Sequence, residues 1–330
     1  MSMRLYGFTV SQPAFAFTTS TSDHHEEFNV RHRQKKSKSD GFSGPISWDR
    51  VRGIFGDPKP PQRIWQRQFD YDDEALHRLA RTPYDEIDFS DLWYYHHDLA
   101  YVELQPDLFA YLFPVCLMDW HQSLMQNAPC CHGDSEFHYG VWQGNVFEKM
   151  LTPEQREPVY EFFRDSILTR LDAERGFLYQ GSKTPAYGWM GRFNSLGIVM
   201  PGIDRIWDEW WSLSTPGRAV AALQYCSGLM YNEWEANPLF GEWTQAEGGG
   251  GPYLSNNDSH IHEAGWMPEN LAFLTKALTT GFVNDRASCA VDRLQGEPEW
   301  ETANRLKDDL PNTQNTIQIM IEELLAGLAK

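Results

Sequence analysis

The chain has 330 residues, 41% hydrophobic and 14% aromatic, with 13 tryptophans, which is enough apolar material for one large core or two ordinary ones. Its 28 basic and 46 acidic residues give a formal net charge of −18, which works against binding nucleic-acid phosphates or an anionic membrane and leaves a basic protein partner as the electrostatically favoured one. The five cysteines, Cys116, Cys130, Cys131, Cys226 and Cys289, are too few for a disulfide framework, and no apolar run approaches the roughly 20 residues that span a bilayer.

Residues 1–44 read as a disordered or loosely attached tail. The stretch "TTSTSDHHEEFNVRHRQKKSKSDGFSG" is polar and changes sign from Asp23, Glu26 and Glu27 to a basic run from Arg31 to Lys38. It offers too few apolar groups to offset the entropy of ordering. "PAFAF" is too short for a secretory core; the first 22 residues, free of acids and rich in Ser/Thr with a lone Arg4, leave a transit peptide as the alternative to the cytoplasmic location expected.

A helical domain is expected over 45–175. "SWDRVRGIFG" places Val51, Ile54 and Phe55 on one stripe, and the prolines of "DPKPPQ" then break the chain. "DDEALHRLAR" carries acids in its first turn and arginines later, in the sense of the helix dipole. "QPDLFAYLFPVCLMDWHQSL" is a longer helix with Pro106 at its first position and Pro114 expected to kink its middle. "TPEQREPVYEFFRDSILTRL" opens with a capping box, Thr152 against Gln155, and shows Val159, Phe162, Phe163, Ile167 and Leu171 on one face.

The run Tyr95, His96, His97, Asp98, followed by Pro106, Phe109, Tyr111, Leu112 and Pro114 and by Leu151, Thr152, Pro153 and Gln155, resembles an uncharacterised bacterial helical domain family, a domain of unknown function. The resemblance covers about residues 60–175. It implies a compact helical domain and supplies no activity.

Residues 176–330 read as a second, mostly helical domain or subdomain. Gly176 to Gly202 is rich in glycine, proline and aromatics and lacks a clear period, so it is expected to be a connection. Beyond it "IDRIWDEWWSL" and "TPGRAVAALQYCSGLMYNEW" read as helices, the second with Ala219, Leu223, Cys226, Met230 and Trp234 along one stripe. "PENLAFLTKAL" is a further helix. The last, "NTIQIMIEELLAGL", has a wide apolar face that suits packing on the body or, over 313–330, a homo-oligomer. The fold class expected is mainly α: a multi-helix globular body with a long Gly/Pro/aromatic-rich connection and few short strands.

Three stretches contain side chains of the types used in catalysis. The glycine-rich loop at 245–266 ends in "DSHIH". On an extended strand Asp258, His260 and His262 share a face, a geometry that allows one zinc or another divalent transition metal to be held with an open position for activated water. The same residues suit a hydrogen-bonded turn, which is the expectation preferred here. "CCHGDSEFH", Cys130 to His138, offers thiols, imidazoles and carboxylates, but adjacent cysteines do not direct both sulfurs to one tetrahedral centre. In "YYHHD", Tyr94 to Asp98, helical geometry sends His96 and His97 about 100° apart, so they do not share a metal. His97 beside Asp98 is a candidate proton shuttle. No nucleophile elbow, phosphate loop or dinucleotide fingerprint is present.

The function expected is therefore a soluble acidic protein-interaction module without catalysis or cofactor, neutralising or assembling with a basic protein. The alternative is a metal-dependent hydrolase built on Asp258, His260 and His262. Nucleic acid and membranes are not expected partners.

Overall fold

In the computed structural model, residues 46–69, 71–126, 132–177, 185–231, 237, 239 and 265–329 are described, with backbone alone at Asp85, 132–136 and 185–190. All of them belong to one unit, Phe42–Lys330. Every regular element among them is helical.

The first helices follow their local signals. Ser47 accepts from Arg50 N at 3.3 Å and starts α1 (Trp48–Phe55). Asp72 accepts from Ala75 N at 3.3 Å and starts α2 (Asp73–Leu79). Two short 3-10 turns, Tyr84–Glu86 and Phe89–Leu92, lead into α3 (Trp93–Tyr101). Helix α4 (Pro106–Met125) runs continuously through Pro114 and buries 13 of its side chains, so it forms the axis of the first half. Helices α5 (His132–Gln143) and α6 (Val146–Lys149) follow. The Thr152–Gln155 capping box then opens α7 (Pro153–Asp172), with Thr152 N donating to Gln155 Oε1 at 3.0 Å.

Helices α3 and α5 pack backbone to backbone. The reason is a pair of glycines: a Cβ on Gly140 would lie 2.6 Å from His96 O, and one on Gly144 would lie 1.9 Å from Leu99 O. Any side chain there would force the two elements apart.

The expected connection over 176–202 is in large part a helix, α8 (Pro185–Val199). It packs on α4, α5, α7 and α10 (Pro216–Met230). A helix enclosed on several sides need not show one apolar stripe, and small residues mark its closest approaches. Gly197 is one of these: a Cβ there would meet the Trp266 ring at 2.4 Å.

Helix α9 (Ile203–Trp211) presents Trp207, Trp210 and Trp211 to the interior. In α10 every side from Gly217 to Met230 is buried, so the stripe expected from the sequence is only one of its buried faces. Cys226 is fully buried, as its place on that stripe anticipated. Helices α11 (Pro268–Ala277), α12 (Thr280–Arg293) and α13 (Trp300–Asp309) precede α14 (Gln314–Leu328). The apolar face of α14, with Ile317, Ile321, Leu324 and Leu328, is buried within the chain, and the helix packs on α10, α11 and α12. One continuous hydrophobic cluster extends from Ile46 to Leu328. No helix among the described residues is long and apolar enough to cross a membrane.

Candidate functional site

Helix α3 has two chemically different faces, and the segment before α2 completes the outer one. Residues 64–68 belong to no helix and pair with no strand among the described residues, so side chains satisfy their backbone. Gln105 Oε1 accepts from Trp65 N at 2.8 Å and Gln66 N at 3.3 Å, while Gln105 Nε2 donates to Arg63 O at 2.7 Å. In return Gln105 N donates to Gln66 Oε1 at 3.0 Å. Asp98, fully buried on α3, accepts from Gln66 Nε2 at 2.8 Å and from Phe69 N at 3.0 Å.

This clamp turns Gln66 and Gln68 inward and leaves Trp65, Arg67 and Phe69 outward, the alternation of an extended chain. Tyr71 follows with φ of 62° and is 92% exposed. A tyrosine in the left-handed region costs about 1 kcal/mol, a strain that the flanking hydrogen bonds hold in place.

On the outer face of α3, Trp93, His97 and Tyr101 recur at four-residue spacing and form a continuous file of rings with their neighbours. Trp93 and His97 have centroids 5.4 Å apart. Phe69 stacks on His97 at 6.4 Å and on Tyr101 at 4.6 Å. Tyr101 meets Tyr139 at 6.0 Å, and Tyr139 meets Trp142 at 5.9 Å. Trp93, Phe69 and Tyr101 remain 37%, 46% and 46% exposed. His97, Tyr139 and Trp142 are half-buried, so the file is partly wet and partly covered.

The inner face of α3 is polar and dry. His96 Nε2 lies 3.9 Å from Asp119 Oδ2 on α4. Arg192, from α8, donates through Nη2 to Ser123 Oγ at 2.7 Å. His138, from α5, is fully buried with its ring 5.9 Å from that of Trp120, and neither of its nitrogens reaches a hydrogen-bond partner among the described residues. Burial, followed by the positive field of Arg192 and of His96, pulls its pKa down to about 3. Burial alone takes His121 to about 4. The Tyr95 hydroxyl and the Cys116 thiol are driven upward, again chiefly by burial. At neutral pH burial holds His121 and His138 uncharged and leaves Tyr95 and Cys116 with their protons.

The structure divides the sequence candidates accordingly. Asp258, His260 and His262 lie outside the described residues, as do Cys130 and Cys131. His132, Asp134 and Glu136 lie on α5, where the backbone alone is described. His138 is a core residue. His96 and His97 diverge, one buried and one in the ring file, as helical geometry requires. Asp98, the proposed partner of a proton shuttle, accepts from Gln66 Nε2 and Phe69 N. Among the described residues no three His, Cys, Asp or Glu side chains converge as metal ligands.

Sequence reasoning missed the Gln66–Gln105–Asp98 clamp and the place of Phe69 in the ring file. The signal was present as the alternation of Trp65, Arg67 and Phe69 with Gln66 and Gln68. It was obscured because the ring-bearing side faces water and the amide side faces the core, the reverse of the usual half-buried strand. No family model, curated protein or solved structure matches this chain.

Proposed function

We propose that the protein is an interaction module without catalysis, and that the ring file of Trp93, His97, Phe69 and Tyr101 is where a basic protein partner docks. The observation that carries the reading is the exposure of Trp93, Tyr101 and Phe69 around the half-buried His97 on one side of α3. Aromatic faces receive arginine and lysine side chains through the ring quadrupole, at about 0.5–2 kcal/mol per contact. The formal charge of −18 draws a cationic partner from a distance, and the rings then supply the short-range anchors. The rigid backing of the surface favours the same role, since the Asp98 and Gln105 clamp orders Phe69 before any partner arrives.

The test is a titration with a labelled Arg- and Lys-rich peptide against the native chain and against Trp93→Ala and Tyr101→Ala. Saturable binding is expected, weakened about tenfold or more by each substitution. It should also weaken as salt rises from about 50 to about 200 mM. Equal binding by the variants, or none by the native chain, would remove the proposal.

A further inference from the structure

On the side of α2 away from its buried residues lies a depression of about 560 Å³, lined by Arg67, Asp73, Glu74, His77, Arg78 and Arg81 among others. Its residues come from two stretches of chain. Arg67 belongs to the clamped extended segment; the others lie on α2 and the turn after it. Three guanidinium groups around one concavity are unexpected in a chain whose acids outnumber its bases 46 to 28.

The three arginines differ in how committed they are. Arg67 is held by Asp73, whose other oxygen accepts from Gln68 N at 3.1 Å. That backbone bond, followed by the bond from Arg67, keeps the Asp73 carboxyl below its ordinary range. Arg78 is 3.8 Å from Asp91, too far for a hydrogen bond, so the approach leaves its donors unspent. Arg81 is exposed and makes no ion pair among the described residues. The turn that carries it is fixed: Thr82 Oγ1 donates to Arg78 O at 2.8 Å, and Tyr111 Oη donates to Thr82 O at 2.6 Å.

Arginines near a helix C-terminus also serve simply to offset the helix dipole. That role accounts for Arg78, on the last turn of α2, and does not require Arg67, from another segment, to face the same space. From this convergence we infer that the depression is a binding site for a small multiply charged oxyanion, carrying phosphate or carboxylate groups. The guanidinium forks of Arg78 and Arg81 pair with two oxygens each, and Arg67 completes the third side. The lining side chains are all polar or charged, with the His77 imidazole the one ring among them, so the ligand is small and polar. Glu74 opposes the ligand charge and so sets an upper limit on its affinity.

The experiment is calorimetric titration of the full chain, at low salt, with inorganic phosphate and separately with citrate. Saturable binding of either probe is expected, with phosphate alone pointing to a phosphorylated ligand and citrate alone to a polycarboxylate. The double variant Arg78→Ala/Arg81→Ala, altered at exposed positions, should lose at least about tenfold in affinity. Glu74→Gln should bind about threefold to tenfold more tightly. Trp93→Ala should bind the anion as the native chain does, which separates this site from the ring file. The inference is overturned if neither probe gives saturable heat, or if the double arginine variant binds as the native chain does.

Discussion

Around α3, α4, α5 and α8 the interior holds His96, His121, His138 and Arg192, whereas around α9, α10 and α12 it is filled by Trp207, Trp210, Trp211, Tyr225 and Phe282 packed ring against ring. Both regions are equally dry. The first carries ionisable groups, of which burial holds His121 and His138 uncharged; the second carries rings whose polar atoms are few, with Trp210 Nε1 donating to Arg218 O at 3.2 Å. At the edge of the second region the buried Glu174 lies 2.7 Å from Arg170 and accepts from Gln224 Nε2 at 3.3 Å. Burial outweighs the pull of Arg170 and of Gln224 and raises its pKa to about 7. The lesson is that dryness alone does not set how a core responds to pH. The sign of each buried group's charged form does.

Between acid and neutral pH the buried histidines of the first region and Glu174 therefore act in opposite directions. A buried histidine with a lowered pKa binds fewer protons when folded than when unfolded. Its stabilisation is complete above the unfolded value of 6.5 and is lost as pH falls toward about 3. A buried glutamate with a raised pKa does the reverse: its stabilisation is complete below 4.5 and is lost as pH rises through about 7.

The largest effect expected is from Trp210→Ala, in the ring-packed region. Removing a fully buried indole leaves a cavity among Phe193, Trp211 and Tyr225 and should lower unfolding free energy by about 4 kcal/mol at any pH between 5 and 8, read from urea midpoints. A loss below about 1 kcal/mol would show that the rings are not packed as one unit.

The next effect sharpens the contrast through pH. In His138→Phe the acid-induced loss of stability between about pH 6.5 and 3 should shrink, whatever the offset at neutral pH, because the burial of a chargeable ring is gone. Thermal melts across that range check it. An unchanged slope would place the acid sensitivity elsewhere.

The smallest effect is at Glu174. The stability of Glu174→Gln relative to the native chain should move in favour of the variant as pH rises from about 4.5 to above 7, by less than the His138 effect. A nearly flat difference over that window, with a shift toward the native chain as pH rises to about 4.5, would mean that Arg170 holds Glu174 ionised.

Much of the helical framework could be read locally. The Thr152–Gln155 box, the Thr215–Pro216 start of α10 and the apolar face of α14 each depend on residues within one or two turns, and each is found where its residues placed it. Helix α8 could not be read so. It packs against four other helices, and among its described residues Gly197 answers to the Trp266 ring and Phe193 to Trp207 and Trp210, neighbours that no periodicity within the segment encodes. The candidate site divides in the same way. That His96 and His97 diverge follows from helix geometry alone; that Phe69 completes the ring file depends on Asp98, 29 positions away.

What the sequence determined by itself is the helical composition, the net negative charge and the starts of those helices that carry their own caps, because propensity, capping and charge act over a few residues. What only the tertiary structure decided is which polar groups are dry, which rings are wet and which backbones touch. Those outcomes depend on distances between segments far apart in the chain: a carbonyl at Leu99 lying where a Gly144 side chain would be, or a Gln105 amide standing in for a missing strand. Local physics offers each residue several environments, and packing selects one.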